Sequence, residues 1–207
     1  MTKQIDPTIV TPEMLQTRTR VTMDIECLHD VDMKHFKFSD AEFLEIAIAC
    51  TVNHEGEVRD FTRDEAFRFF GHMNQHNIIC GYNTLGFDYP LIGGQLLAPQ
   101  NPASKRFIEN TFKGRTIDLL KDFQEALGHR ISLANVSVPT LGDHKEMDGG
   151  FAPEMWRKGK KMEVIEYCRG DIRRTDALLV KAVNGEELKY MNKGGDIKTF
   201  KTKVKLR

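Results

Sequence analysis

Two carboxylates with the spacing of metal ligands occur in an apolar segment near the start of the chain. Asp24 and Glu26 lie within RVTMDIEC, which has the composition of a buried strand. Residues i and i+2 of a strand point to the same face, so these side chains project together. Burying unpaired carboxylates is unfavourable, and a divalent cation would explain their presence. Asp40 and Glu42 repeat the Asp-x-Glu spacing in a polar stretch typical of a cap or turn, so the apolar context distinguishes the first pair.

A third acid follows the predicted buried strand at Ile78 to Tyr82. Asp88 comes after the loop NTLGF and opens a predicted helix. A negative group is favourable at a helix N-terminus, and a loop at the carboxyl end of a strand faces the cleft of an α/β sheet. Asp88 is therefore a candidate site residue, although an ordinary acidic residue in a first helical turn has the same pattern.

A tyrosine and a fourth acid share one face of a long helix predicted from Met162 to Val183. Tyr167 and Asp171 are four residues apart, so their side chains lie one turn from each other. The pair can direct a phenol and a carboxylate to one place. The alternative is a tyrosine at the margin of the core beside a solvated aspartate.

Together these positions resemble the DEDD exonucleases, and the tyrosine before the last aspartate resembles the tyrosine branch of that family. MDIEC looks like the first motif of the proofreading domains of family B DNA polymerases, NTLGFDYPLI is similar to the second and YCRGD to the third. The stretch RTIDLLKDFQEALGHRISLANV also resembles standalone predicted ribonuclease H-like exonucleases. The resemblance covers residues 19–182.

The resemblance implies an α/β, ribonuclease H-like fold with a central mixed five-stranded sheet flanked by helices. It also implies 3′–5′ exonuclease activity on single-stranded nucleic acid, with DNA favoured and RNA open. By the resemblance two divalent cations, Mg²⁺ or Mn²⁺, would be held by Asp24, Glu26, Asp88 and Asp171. Tyr167 would orient the attacking water, which makes it the fifth catalytic residue. Asn83 and Phe87 are the predicted substrate contacts.

Two other functions fit the same residues. A nuclease fold that has become a weakly active binding or recruitment module would keep the motifs without turnover. An endonuclease of ribonuclease H type would cut internally, although the tyrosine helix has no obvious use in such an enzyme. We expect the chain to act alone or to be recruited by a protein such as a replication or repair factor.

Composition agrees with a globular enzyme. The chain has 207 residues, of which 40% are hydrophobic and 29% charged, and its formal net charge is zero. Its four cysteines form no CxxC pair, which favours a reducing, cytoplasmic environment over a disulfide framework. No secretory leader or membrane span is expected from the sequence.

The predicted organisation is a lead-in at residues 1–18, a nuclease domain at 19–183 and a basic tail at 184–207. From Lys181 to Arg207 there are eight basic and three acidic residues. Such a segment is either a phosphate-binding patch or a solvated, partly frayed terminus.

Four other polar residues fit structural or solvent-exposed positions better than catalytic roles. Asp118 follows a predicted strand and either approaches the acids or ends the strand and caps a helix. Asp176 is five residues after Asp171, which turns it away from the catalytic face and predicts a solvent position. His72 and His76 have i, i+4 spacing but no third ligand in sight, so we expect exposed helix residues.

Overall fold

The computed structural model describes residues 6–28, 38–97, 102–143 and 152–207. The strands in these ranges are β1 (Arg20–Cys27), β2 (Ile46–Asn53), β3 (Val58–Thr62), β4 (Ile78–Gly81), β5 (Thr116–Asp118), β6 (Leu188–Met191) and β7 (Ile197–Phe200). The helices are α1 (Pro12–Thr17), α2 (Ala66–Asn74), α3 (Asp88–Leu97), α4 (Pro102–Phe112), α5 (Leu119–Leu127), α6 (Leu133–Leu141), α7 (Ala152–Arg157) and α8 (Lys161–Val183). A short 3₁₀ helix spans Phe38–Phe43.

The central sheet has five strands in the order β3-β2-β1-β4-β5. The pairs β1–β2 and β2–β3 are antiparallel, whereas β1–β4 and β4–β5 are parallel. The predicted fold class, a mixed five-stranded sheet flanked by helices, is confirmed. Since β1 lies in the middle, both of its neighbours and both helical layers hold it in place.

The two faces of the sheet belong to different cores because side chains alternate along a strand. Val21, Met23 and Ile25 of β1 pack in the core formed with α2, α3 and α4. Asp24 and Glu26 have the opposite parity, and they point to the face covered by α8. On that face, α8 packs through two apolar clusters with β2, β4 and β5.

Most predicted elements are present, but the sequence did not predict the helices α1, α4 and α7 or the strands β6 and β7. The helix predicted from Met162 to Val183 is α8, and Ser132 caps α6 by accepting a hydrogen bond from the Asn135 N–H at 3.2 Å. Pro102 is the first residue of α4. Proline is favoured in the first turn of a helix, where its missing N–H costs nothing.

The C-terminal segment is folded, so the expectation of a partly frayed terminus is wrong. β6 and β7 form a hairpin, and Leu188 and Val204 are buried in the core that contains Ile78 of β4. The Leu206 N–H donates to the Thr8 carbonyl at 2.8 Å, which joins the tail to the lead-in. The buried positions alternate with lysines along this segment, and basic composition hid that pattern.

Asp176 does not have the solvent role that its helical position predicted. Its carboxylate forms two hydrogen bonds with the Arg20 guanidinium, each 2.9 Å long. The Thr22 hydroxyl donates to the same carboxylate at 2.7 Å. These bonds attach α8 to the beginning of β1 and so fix the helix against the strand that carries Asp24.

The two histidines at the end of α2 and just after it are buried rather than exposed. His72 and His76 are 8% and 7% exposed. His72 Nε2 lies 3.3 Å from the Thr51 hydroxyl, and its ring lies 5.4 Å from that of Phe61. The i, i+4 spacing placed both rings on the core side, which is a packing role.

No helix in the described ranges has both the length and the apolar character that a membrane span requires.

Candidate active site

The acidic pair of β1 lies beyond the end of its parallel neighbour. The last paired residues of β1 and β4 are Thr22 and Cys80, and β1 then continues to Cys27. Asp24 and Glu26 therefore stand at the carboxyl edge of the parallel strands. Loops and helix termini converge at this edge in α/β folds, and ligands bind there.

Helix α8 crosses this edge and adds a third acid. One carboxylate oxygen from each of Asp24, Glu26 and Asp171 lies within 4.8 Å of the others. Oxygen atoms at this separation can hold a metal ion between them. The structure thus brings together acids that come from the first strand and from a late helix.

Asp88 reaches the same region from the start of α3. It is 2% exposed, and the charge of Asp24 and the backbone N–H of Ile25 both act on the pKa of its carboxyl group. Its Oδ1 is buried and has no hydrogen-bond partner in the described part of the chain. A buried carboxylate oxygen without a partner is costly, and a cation would satisfy it. This orphaned oxygen is a specific sign that the residues fit a bound metal.

A glycine allows α3 to take its position. Gly94 lies so close to the 3₁₀ helix that an added Cβ would stand 1.9 Å from the Glu42 carbonyl oxygen. Any larger residue would push α3 away from the 3₁₀ helix. Since Asp88 begins the same helix, the close packing at Gly94 helps to set the position of its carboxyl group.

Burial and mutual repulsion raise the pKa values of the carboxyl groups. Burial, with the charge of Asp171 added, raises the pKa of Asp24 to about 7. Burial and then the charge of Asp24 raise the pKa of Glu26 well above its ordinary value. The same two causes, in the same order, raise the pKa of Asp88. Strongly shifted carboxylates in one cluster are typical of functional sites, and a cation there would favour their ionised forms.

Tyr167 points into the cluster from one turn earlier on α8. Burial is the main reason that its pKa is raised above the ordinary value, and the charges of Asp171 and Glu26 add to the shift. The neighbouring Asp171 side chain raises this pKa further. The phenol therefore stays protonated at neutral pH and can donate a hydrogen bond, but it cannot serve as a base.

Asp118 holds the loop that leads to Asp88. As one of the two sequence expectations had it, the residue ends β5 directly before the first residue of α5. It is fully buried there, and its two oxygens accept the N–H groups of Asn83 and Leu85 at 2.9 and 3.1 Å. Asn83 has a φ of 69°, a left-handed conformation that non-glycine residues seldom adopt. The Asp118 side chain thus fixes the path of the loop that leads to Asp88, a role that the sequence did not indicate.

Two neighbours of the acids were not anticipated from the sequence. The Cys168 thiol lies 3.6 Å from Asp24 Oδ2, which it can donate to. The Arg174 guanidinium bonds to Asp171 at 3.1 Å and to Asp143 at 2.7 Å. The i, i+3 spacing of Asp171 and Arg174 could have indicated their pairing. Nothing in the sequence links Cys168 to Asp24, because their proximity depends on how α8 crosses β1.

The predicted substrate-binding residues lie beside the cluster in different environments. Asn83 borders an open cavity of about 430 Å³, whose wall also includes Tyr82, Arg130 and Ser132. Phe87 is partly buried and packs against the core beneath α3. Asn83 is thus positioned next to space that a ligand can enter, whereas Phe87 has a packing role whatever else it contacts.

Comparisons with known proteins agree with this architecture. No protein-family model and no curated protein matches the sequence. Among the solved structures that match is the family B DNA polymerase from the hyperthermophilic archaeon Pyrobaculum calidifontis, with a TM-score of 0.58 and 18% sequence identity. The match covers 80% of this chain but 24% of the polymerase, so this chain corresponds in length to a minor part of it.

The likeness concerns the fold, because the sequence identity is low. A part of that polymerase and this chain share a ribonuclease H-like α/β architecture. The chain combines this fold with a cluster of three acids that can hold a metal ion at the carboxyl edge of its sheet. Fold and cluster together mark this edge of the sheet as the candidate active site.

Proposed function

We propose that this chain is a metal-dependent 3′–5′ exonuclease of the tyrosine-containing DEDD type. The observation that supports the proposal most is the convergence of Asp24, Glu26 and Asp171, whose oxygens lie within 4.8 Å of one another. The orphaned oxygen of Asp88 and the fold likeness to a DNA polymerase add to it. In this proposal residues 19–183 are the catalytic unit, flanked by the lead-in and the basic tail.

The proposed cofactors are two divalent cations, Mg²⁺ or Mn²⁺, held by Asp24, Glu26, Asp88 and Asp171. An all-oxygen ligand set favours these hard ions over zinc. Bound there, the cations would supply positive charge to a phosphodiester and lower the pKa of the attacking water. By the resemblance, Asp24 would be the acid shared between them.

The chain's own groups orient the reactants. The Tyr167 hydroxyl remains protonated and would donate a hydrogen bond that aligns the attacking water with the phosphorus atom. Glu26 accepts from the water or from the terminal 3′-hydroxyl in this scheme. Arg174 bonds to Asp171 and so restrains the carboxylate while the substrate binds.

The proposed substrate is single-stranded nucleic acid with a free 3′ end, with DNA favoured and RNA possible. The DNA polymerase neighbour and the motifs similar to polymerase proofreading domains support the preference for DNA. We propose that Asn83 and Phe87 contact the terminal nucleotides, because both belong to the loop that leads to Asp88. The proposal also includes a replication or repair factor that recruits this protein in the cell.

Matched oligonucleotides labelled at the 3′ or the 5′ end test the proposal. With Mg²⁺ or Mn²⁺, the 5′-labelled strand should shorten stepwise, and the 3′-labelled strand should release mononucleotide first. A circular single strand should stay intact, since an exonuclease cannot begin on it. Cleavage of the circle would establish an endonuclease. Metal-independent binding without turnover would establish the recruitment module.

The two Asp-x-Glu pairs of the chain supply a matched control. Asp24→Asn should abolish cleavage while the protein stays folded. Asp40→Asn removes the same charge from the pair in the 3₁₀ helix and should leave cleavage unchanged. Full activity of the Asp24 variant would refute the assignment.

A further inference from the structure

The C-terminal hairpin carries positive charge that the catalytic cluster does not use. Residues 188–207 contain seven basic residues and one acidic residue. Lys205 and Arg207 are neutralised on α5, where Lys205 bonds to Glu125 at 2.7 Å and Arg207 bonds to Asp122 at 2.7 Å. The remaining basic residues make no ion pair with any described residue. These residues, which we call the basic hairpin surface, are Lys189, Lys193, Lys198, Lys201 and Lys203.

Backbone and side-chain contacts fix the segment that carries two of these lysines, Lys201 and Lys203. Thr202 donates its hydroxyl to the Asp122 carbonyl at 3.0 Å, and Val204 is buried. Since side chains alternate along extended backbone, Lys201 and Lys203 point outwards, about 7 Å apart. The Val10 N–H donates to the Val204 carbonyl at 2.9 Å, so the segment is anchored on its inner side.

The outer face of the hairpin also exposes apolar side chains. Ile197 is 60% and Met191 37% exposed, and they are directly paired across β6 and β7. Lys189 pairs with Thr199 on the same face of the hairpin. A surface that combines lysines with exposed apolar groups suits a partner with phosphates and stacked bases.

The hairpin lies near a cavity that is bordered by Asn83, in the loop preceding Asp88. Asn83 and Arg130 line that cavity, and the ring of His129 lies 6.2 Å from the ring of Tyr190 on β6. Tyr190 is paired with Lys198 on β7. A chain of neighbouring residues thus runs from the loop preceding Asp88, along the rim of the cavity, to the basic hairpin surface.

We propose that the basic hairpin surface binds the phosphate backbone of the single strand whose 3′ end enters the catalytic cluster. This inference rests on the proposed function and adds a second binding region to it. The surface acts through charge, so it contributes affinity for long strands and little for the scissile nucleotide. The affinity of the protein for a strand therefore depends on the length of the strand rather than on its base sequence.

A double substitution, Lys201→Gln/Lys203→Gln, tests the proposal. Binding of a 20-nucleotide strand and of a 3-nucleotide strand is measured by fluorescence anisotropy without metal, over a range of salt concentrations. The variant should bind the long strand about fivefold more weakly, and the slope of log K against log salt should fall by about 0.7 for each phosphate that is no longer neutralised. The short strand should bind both proteins equally.

A matched control neutralises two cations on the other side of the sheet. Arg63→Gln/Arg68→Gln removes the same charge near α2, where both guanidiniums are ion-paired. This control should bind the long strand like the unmodified protein. An equal reduction in affinity in both variants would reduce the effect to net charge and overturn the proposal.

The remaining outcomes separate this inference from the proposed function. Unchanged affinity and salt slope in the lysine variant would overturn the inference, even if the unmodified protein degrades strands from the 3′ end. Lysine-dependent strand binding by a protein that cleaves nothing would refute the proposed function and keep the surface. Lysine-dependent binding to anionic lipid vesicles, without any to strands, would assign the surface to another partner and overturn the inference.

Discussion

The Asp118 carboxylate accepts the backbone N–H of Asn83 at 2.9 Å, across the carboxyl edge of the sheet. The bond stabilises Asn83 in its left-handed conformation, and the second oxygen of Asp118 accepts the N–H of Leu85. A buried carboxylate on β5 thus fixes the path of the loop before Asp88. In this way a residue outside the acidic cluster determines where one of its members lies.

Replacing Asp118 should impair the reaction without removing any proposed metal ligand. Asp118→Asn keeps the size of the side chain but turns one acceptor into a donor, so one of the two loop N–H groups no longer has an acceptor. We expect kcat to fall about 10- to 100-fold and the metal concentration for half-maximal activity to rise. Metal titrations of cleavage measure both effects. A decrease in thermal stability with unchanged kcat and metal dependence would leave Asp118 a purely structural role.

Removal of the Tyr167 hydroxyl should slow turnover and leave metal binding intact. Tyr167→Phe keeps the ring that packs on α8 but removes the hydrogen bond proposed to align the attacking water. We expect kcat to fall about tenfold or more, with metal affinity by calorimetry within a factor of about two. Because the pKa of the phenol is raised, the pH profile below pH 9 should keep its shape. A parallel decrease in metal affinity would mean that the tyrosine mainly supports Asp171.

Divalent cations should stabilise the protein, and more so at high pH. Burial raises the pKa values of Asp24, Glu26 and Asp88, so the folded state binds more protons than the unfolded state above pH 4. Stability of the metal-free protein should therefore fall as pH rises towards 7. Saturating Mn²⁺ or Mg²⁺ should raise Tm by about 5 °C at pH 8 and by less at pH 5.

The variant Asp24→Asn is the control for this metal effect. It removes one of the like charges, so the metal-free variant should be more stable at pH 8 than the unmodified protein. The cations should no longer raise its Tm. A metal-induced shift that is the same in both proteins would place the ions elsewhere.

The buried imidazole of His72 should make the protein sensitive to acid. Burial and the neighbouring His76 lower the pKa of His72 from 6.5 to about 4, and its Nδ1 has no partner among the described residues. Between these pH values the unfolded state binds a proton that the folded state does not, so the contribution of His72 to stability falls as pH falls, opposite in sign to that of the acidic cluster. Arg59 adds to this shift and Glu57 opposes it.

Urea unfolding from pH 7 to pH 4 measures this contribution. His72→Gln keeps a hydrogen-bonding partner for Thr51 but cannot be protonated, so the difference in stability between the two proteins should shift in favour of the variant as pH falls. His129→Gln, at an exposed position, should follow the unmodified protein. Parallel curves for all three proteins would contradict the prediction.

The sequence predicted those features that depend on local periodicity. The alternation in β1 placed Asp24 and Glu26 on one face, and the helical spacing in α8 placed Tyr167 and Asp171 on one face. These relations follow from the geometry of a single element, so they need no knowledge of what packs against it. The fold class came instead from the resemblance of the three motifs to those of a known family.

The same local rules gave wrong predictions where tertiary packing determined the environment of a residue. Asp176 was expected in solvent, but Arg20 of β1 binds it. His72 and His76 were expected on the surface, but the packing of α2 against the sheet turns them inwards. For the two histidines the buried side was itself predicted wrongly, and for Asp176 the environment depended on a partner element distant in sequence.

By itself the sequence determined which side chains share a strand face or a helix face, since backbone geometry imposes those periodicities. Only the tertiary structure decided that β1 and α8 bring three of these acids within 4.8 Å, and that Asp118 holds the loop of the fourth. It also decided that the basic tail is a folded hairpin. Such distances depend on how separate elements pack, and packing is set by the whole core rather than by any one segment.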